Sequence, residues 1–113
     1  INRARAYVAA GADMIFAEAL RSIDDIHTFT REVEVPVLIN LTEFGLTPYF
    51  TREEMRAANA AMVLYPLSAS RAAATATLDV YQSILRDGTQ ADVVGRMQTR
   101  AELYDMLGYQ PPE

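Results

Sequence analysis

At 113 residues, half of them apolar, the chain has material for one domain or one piece of one, and no more. Ten arginines and no lysine stand against fifteen acidic residues for a net charge of −5, with no basic run, which argues against a nucleic-acid or anionic-membrane partner. No apolar stretch approaches the roughly 18 residues of a membrane span. The absence of cysteine excludes disulfides, thiolate metal sites and a cysteine nucleophile, and the single histidine, His27, excludes a histidine metal cluster. A cytoplasmic location is expected.

The opening Ile1-Asn-Arg-Ala-Arg-Ala-Tyr-Val reads as helix interior, so the chain is expected to begin inside a domain. Ala4, Tyr7 and Val8 make the i, i+3, i+4 stripe of that first helix, and Gly11 suits the turn that ends it. Residues 13–17 form a first apolar strand. Ser22-Ile-Asp-Asp25 has capping-box spacing, with Asp a weaker third-position partner than Glu. The stripe Ile23, Ile26, Phe29 and Val33 behind it predicts a second helix over residues 23–34. Val35-Pro36 then forces extended backbone, and residues 36–39 read as a second strand buried on both faces and ending at Asn40.

Residues 41–50 are neither helical nor alternating, and they exceed the usual length of a βα loop, a feature that often accompanies function. Thr51-Arg-Glu-Glu54 is a full capping box opening a short helix with Met55 and Ala58 inward, and residues 61–65 are the third strand. After Pro66-Leu-Ser68 the longest helix is predicted over residues 69–86, with the stripe Leu78, Tyr81, Ile84 and Leu85 and a stop at Gly88. A short turn over residues 92–97, a third capping box at Thr99-Arg-Ala-Glu102 and a helix ending at Gly108 precede a Gln110-Pro-Pro-Glu end expected to fray.

Alternating βα units call for a parallel sheet with right-handed crossovers. Three such strands leave two open edges, so the chain needs either further strands or a partner. Each strand ends in polar residues, on the side where α/β sheets and barrels bind ligands. Glu18 follows the first strand; it is either a ligand-facing carboxylate or a solvated rim residue. Asn40 and Thr42, two apart on extended backbone, share a side and suit an oxygen-rich ligand, or they cap the loop. Glu43, one residue on, should point the other way, where it could simply be solvated. Arg71 lies in the first turn of a helix, where the dipole disfavours a cation by a few tenths of a kcal/mol. It is therefore a candidate for holding a carboxylate or phosphate, with a plain exposed arginine as the alternative; Arg100, just after Thr99, has the same two readings. No phosphate-binding glycine loop, nucleophile–histidine–acid arrangement or metal-ligand cluster is visible.

The stretch Leu38-Ile-Asn-Leu-Thr-Glu-Phe-Gly-Leu-Thr-Pro-Tyr-Phe50, with Leu64-Tyr-Pro-Leu-Ser-Ala-Ser-Arg71 and Met97-Gln-Thr-Arg-Ala-Glu-Leu-Tyr104, resembles the methylisocitrate lyases of the isocitrate lyase and phosphoenolpyruvate mutase superfamily. The resemblance runs through nearly the whole chain. It implies an α/β fold, the C-terminal portion of a (β/α)8 TIM-type barrel: the last three βα units plus a helical tail over residues 89–113. The whole chain would then be part of a single barrel domain of about 250 residues. It further implies a Mg2+-dependent lyase that splits 2-methylisocitrate into pyruvate and succinate in propionate breakdown. This chain would supply substrate-binding Glu18, Asn40, Leu41, Thr42, Arg71 and Arg100, with Phe16 and Leu64 as pocket wall. The magnesium ligands and the cysteine-borne acid belong to the family's first half, so this chain supplies no direct metal ligand and no secure catalytic residue. The implied partners are a di- or tricarboxylate substrate and further copies of the chain, joined through the helix over residues 69–87. A related lyase or decarboxylase acting on another 2-hydroxy or 2-oxo acid, and a noncatalytic α/β module, are the competing readings.

Overall fold

The computed structural model describes residues 1–110 and 112; Pro111 and Glu113, on which the expected fraying falls, lie outside the described residues. The chain divides into two compact units, Ile1–Arg71 and Ala72–Glu113.

The first unit alternates helix and strand as the apolar runs predict: α1 (Asn2–Ala9), β1 (Ile15–Ala17), α2 (Ile23–Glu32), β2 (Val37–Asn40), α3 (Arg52–Ala57), β3 (Met62–Leu64) and the start of α4 (Ser68–Asp87). The strands form one parallel sheet in the order β1-β2-β3, with Ala17 beside Ile39 and Ile39 beside Val63. Helix α2 stops two residues before the predicted end, because Val33 already has extended backbone on the approach to Pro36. Gly11, with φ +107°, makes the turn from α1 into β1 that a side chain would strain.

The core lies on one face of the sheet. Ile15, Ala17, Val37 and Ile39 are buried there against Ala4 of α1, Ile26 of α2 and Met55 of α3, with Val63 partly buried. Thr30, a polar residue in this apolar layer, donates its hydroxyl to the Ala58 carbonyl at 2.6 Å and so ties α2 to the end of α3. Helix α3 opens with both arms of its capping box in place, Thr51 and Glu54 each taking the other's backbone N–H. At α2 only one arm forms, from the Asp25 N–H to Ser22.

The opposite face corrects the expectation that the second strand is buried on both sides. Its residues, Phe16, Leu38 and Met62 in one row and Asn40 and Leu64 in the next, are half-buried or exposed. Phe16 is 50 % and Met62 48 % exposed although both are large and apolar. Helices α1, α2 and α3 do not cover them, because they contribute their buried residues to the first face.

In the second unit, α4 continues to Asp87 and is followed by a 3₁₀ helix (Ala91–Arg96) and α5 (Arg100–Leu107). Arg96 pairs with Asp79 of α4 at 2.5 Å. The Thr99–Glu102 capping box forms with both arms, and Gly108 closes α5 in the left-handed region at φ 63°. The stripe expected on α4 is exposed in this chain, from 40 % at Ile84 to 86 % at Leu85. None of the described helices is long and apolar enough to cross a membrane.

Candidate site at the strand ends

All three strands are parallel, so their C-terminal ends lie on one side of the sheet and carry the polar residues. At the end of β1, Glu18 is exposed and sits in a turn, and Ala19 after it has φ 59°. Left-handed backbone on a residue with a Cβ is uncommon and gathers at functional sites. Phe16 and Glu18 line one end of a groove of about 750 Å3 that also touches Tyr7, Met14 and Phe29. This groove runs along the unpaired edge of β1 between α1 and α2, and its apolar lining suits the packing of another structural element better than a polar ligand.

At the end of β2, Asn40 is half-buried and its Oδ1 is buried without a hydrogen-bond donor among the described residues. Such an acceptor is costly unless something supplies it with a proton. Leu41 is buried and its N–H is donated to the Leu64 carbonyl at 2.9 Å, which extends the pairing of β2 and β3 by one bond. Thr42 is half-buried under Gly45, where an added Cβ would lie 3.0 Å from the Thr42 Cγ2 and 3.2 Å from its carbonyl oxygen. A side chain there would be tight against Thr42, which would have to give by a few tenths of an ångström. Phe44, between them, has φ 62°.

That turn moves Glu43 away from where strand alternation puts it, and here the sequence expectation fails. Glu43 does not point into solvent. It is half-buried, accepts a hydrogen bond from the Ser68 hydroxyl through Oε1, and places Oε2 3.8 Å from the Arg71 Nε. The Ser68 hydrogen bond, then a backbone hydrogen bond and the Arg71 charge, hold the Glu43 carboxyl below its ordinary value against an opposing contribution from desolvation. Arg71, in the first turn of α4, also lies over the Phe44 ring with its guanidinium carbon 5.2 Å from the centroid. Glu43 is thus an anion that faces this cation within the first unit.

The rim thus brings Asn40, Thr42, Glu43, Ser68 and Arg71 to neighbouring ends of β2 and β3, with Leu64 beside Asn40 in register. Glu18 stands at the end of β1, two strands from Arg71 in sheet order. Arg100 is the exposed first residue of α5 in the other compact unit. Sequence reasoning missed the link from Glu43 to Ser68 and Arg71, and placed Ser68 only in the segment before the long helix. The signal that could have found the pair is the i, i+3 spacing of Ser68 and Arg71 on one helix face, which leaves both beside a single acceptor. Among the described residues no three His, Asp or Glu side chains cluster to hold a metal ion, so a resident metal does not fit this chain's residues alone.

The family model for phosphoenolpyruvate phosphomutase matches residues 1–85. A 2-methylisocitrate lyase of Shewanella oneidensis is 55% identical over 109 residues, which are 96% of this chain and 37% of that protein. The fold superposes on 2,3-dimethylmalate lyase, a member of the phosphoenolpyruvate mutase and isocitrate lyase superfamily, with a TM-score of 0.81 at 26% identity, over 95% of this chain and 37% of that one. A phosphonopyruvate hydrolase complex with oxalate and Mg2+ superposes with a TM-score of 0.73 at 29% identity, over 95% and 38%. The chain spans little more than a third of the length of the relatives it matches. Its three βα units are the C-terminal part of their (β/α)8 barrel, and the open face of the sheet is the one that lines the barrel interior. A match over more than half its length places the chain in the phosphoenolpyruvate phosphomutase family.

Proposed function

We propose that the protein to which these 113 residues belong is a carbon–carbon lyase that cleaves 2-methylisocitrate to pyruvate and succinate, and that this chain carries the carboxylate-gripping part of the site. The observation that carries the reading is the rim of β2 and β3, where a guanidinium, an amide and a hydroxyl from Arg71, Asn40 and Thr42 gather at the ligand-binding end of a barrel sheet. The identity of 55% to a 2-methylisocitrate lyase supports the choice of substrate.

In the cleavage, the substrate hydroxyl loses its proton, the adjacent carbon–carbon bond breaks, and pyruvate leaves. The electron pair stays on the succinate fragment, which then takes up a proton. Charge accumulates on carboxylate oxygens during this step, and positioned donors stabilise it. Arg71 and Arg100 are assigned to clamp carboxylates, Asn40, Leu41 and Thr42 to hold substrate carboxylate oxygens, and Glu18 to line the metal and substrate site, with Phe16 and Leu64 helping to wall the side pocket. The Leu41 N–H is engaged with Leu64, so Leu41 contributes by holding its two neighbours in place. Mg2+ accompanies oxalate in the phosphonopyruvate hydrolase complex. Magnesium dependence is proposed here with ligands outside this chain, which is why the 113 residues alone are expected to be inactive. A cytoplasmic enzyme is part of the same proposal. So is assembly into homo-oligomers through the exposed face of the helix over residues 69–87, with residues 89–113 as the tail of the barrel.

The test is steady-state turnover of 2-hydroxy and 2-oxo acids by the full-length protein. The highest kcat/KM is expected on 2-methylisocitrate, and Arg71→Ala is expected to lower it by about 2–3 kcal/mol in transition-state free energy, roughly 30- to 150-fold. Preference for a dimethylmalate or an oxaloacetate would transfer the protein to a related lyase, the reading favoured by the superposition on 2,3-dimethylmalate lyase. No turnover of any acid would favour a noncatalytic module.

A further inference from the structure

We infer that Glu43 is a positioning residue for Arg71, holding the guanidinium at the rim through a carboxylate that Ser68 fixes in place. This rests on the reading of Arg71 as a carboxylate-binding side chain. An arginine has many rotamers, and a ligand that must select one loses affinity by the entropy of doing so. Here the guanidinium is bracketed by two successive residues of the loop, the Glu43 carboxylate on its Nε side and the Phe44 ring beneath it.

The bracket depends on the loop's unusual backbone. Phe44 at φ 62° turns the chain so that Glu43 and Phe44 both meet α4. On α4, Ser68 and Arg71 stand one turn apart and reach the same carboxylate. The Ser68 hydroxyl occupies Oε1, which sets the carboxylate's rotation and aims Oε2 toward the Arg71 Nε. Oε2 is buried and accepts no hydrogen bond among the described residues, and the Arg71 Nε at 3.8 Å is the cation it faces. The carboxylate also counters the helix dipole, which otherwise disfavours a cation in the first turn. The lowered pKa keeps Glu43 ionised at neutral pH.

A double-mutant cycle in the full-length protein separates this inference from the function it rests on. Binding of succinate is read by calorimetry, and turnover on the acid panel is read independently. Glu43→Gln, which keeps an acceptor for Ser68 but removes the charge, is expected to raise the succinate Kd about tenfold with the melting temperature held. Adding Glu43→Gln to Arg71→Ala should cost nothing further, because there is then no guanidinium to position. Glu43→Asp should recover part of the loss. An unchanged Kd in Glu43→Gln overturns the inference, as does a double variant in which the two losses multiply, or an Asp variant no better than Gln. If the protein turns over a different acid while the coupling persists, the substrate assignment falls and the positioning role stands.

Discussion

The two faces of the same three-stranded sheet are built from similar residues and have opposite surroundings. On one face Ile15, Ala17, Val37 and Ile39 are covered by α1, α2 and α3; on the other Phe16, Leu38, Met62 and Leu64 are apolar yet open. Strand apolarity records that a face is buried in the finished protein, and it does not record which part of the protein does the burying. The covered face is completed within the 113 residues, and the open face belongs to the interior of a barrel whose full complement is eight strands. The polar rim sits at the edge of the open face, with Asn40 and Leu64 side by side there in register.

This contrast can be broken most directly at Ile39 and Met62. Ile39 is 1 % exposed in the covered layer, and Ile39→Ala should cost about 2–5 kcal/mol in urea unfolding, through lost transfer energy and a cavity. Met62→Ala, on the open face, should cost less than about 1 kcal/mol in the 113-residue chain and clearly more in the full-length protein, where the remaining strands cover it. Equal costs at both positions already in the 113-residue chain would mean that the open face is covered without the rest of the barrel. A smaller effect tests what holds the cover together. Thr30→Val leaves the Ala58 carbonyl without its 2.6 Å donor inside the apolar layer, and should cost about 1–3 kcal/mol in the same measurement.

The elements were legible in the sequence because each carries local signals. The run ending at Ala17, the Val35-Pro36 restart and the capping boxes at Thr51 and Thr99 all appear where they were predicted, with ends within two or three residues. The open face was not legible, since an interior barrel position and a helix-covered position demand the same side chains. Asn40, Thr42 and Arg71 stand out in the sequence as candidates because a polar residue at the end of an apolar strand, or a cation in a first helical turn, is locally anomalous, and the structure places all three at the ends of β2 and β3. Glu43 was lost because alternation was carried one residue too far. Glu43 already lies in the turn that continues through Phe44, and the Ser68 partner is 25 residues away. No spacing rule within the loop contains that contact.

A further small effect concerns how the cover is anchored at α3, which delivers Met55 and Ala58 to the covered face. Thr51→Ala removes the acceptor for the Glu54 N–H, and should cost about 1 kcal/mol near neutral pH. The other arm of the box is the Glu54 carboxylate, which accepts from the Thr51 N–H at 2.7 Å and from the Thr51 hydroxyl at 2.9 Å. Its carboxyl is held below the ordinary value of 4.5, first by the backbone bond and then by the hydroxyl, with desolvation opposing. A depressed folded pKa means that this stabilisation is fully present above pH 4.5 and is lost as the pH falls below it through the folded value. The Thr51→Ala penalty, read from urea midpoints at about pH 7 and about pH 3, should therefore shrink in acid, because protonation weakens the carboxylate's bond to the Thr51 hydroxyl. The Thr51 hydroxyl still accepts from the Glu54 N–H whatever the charge, so the penalty should not vanish. A penalty independent of pH would mean that this neutral bond alone fixes the start of α3, and that the covered face is anchored without any contribution from charge.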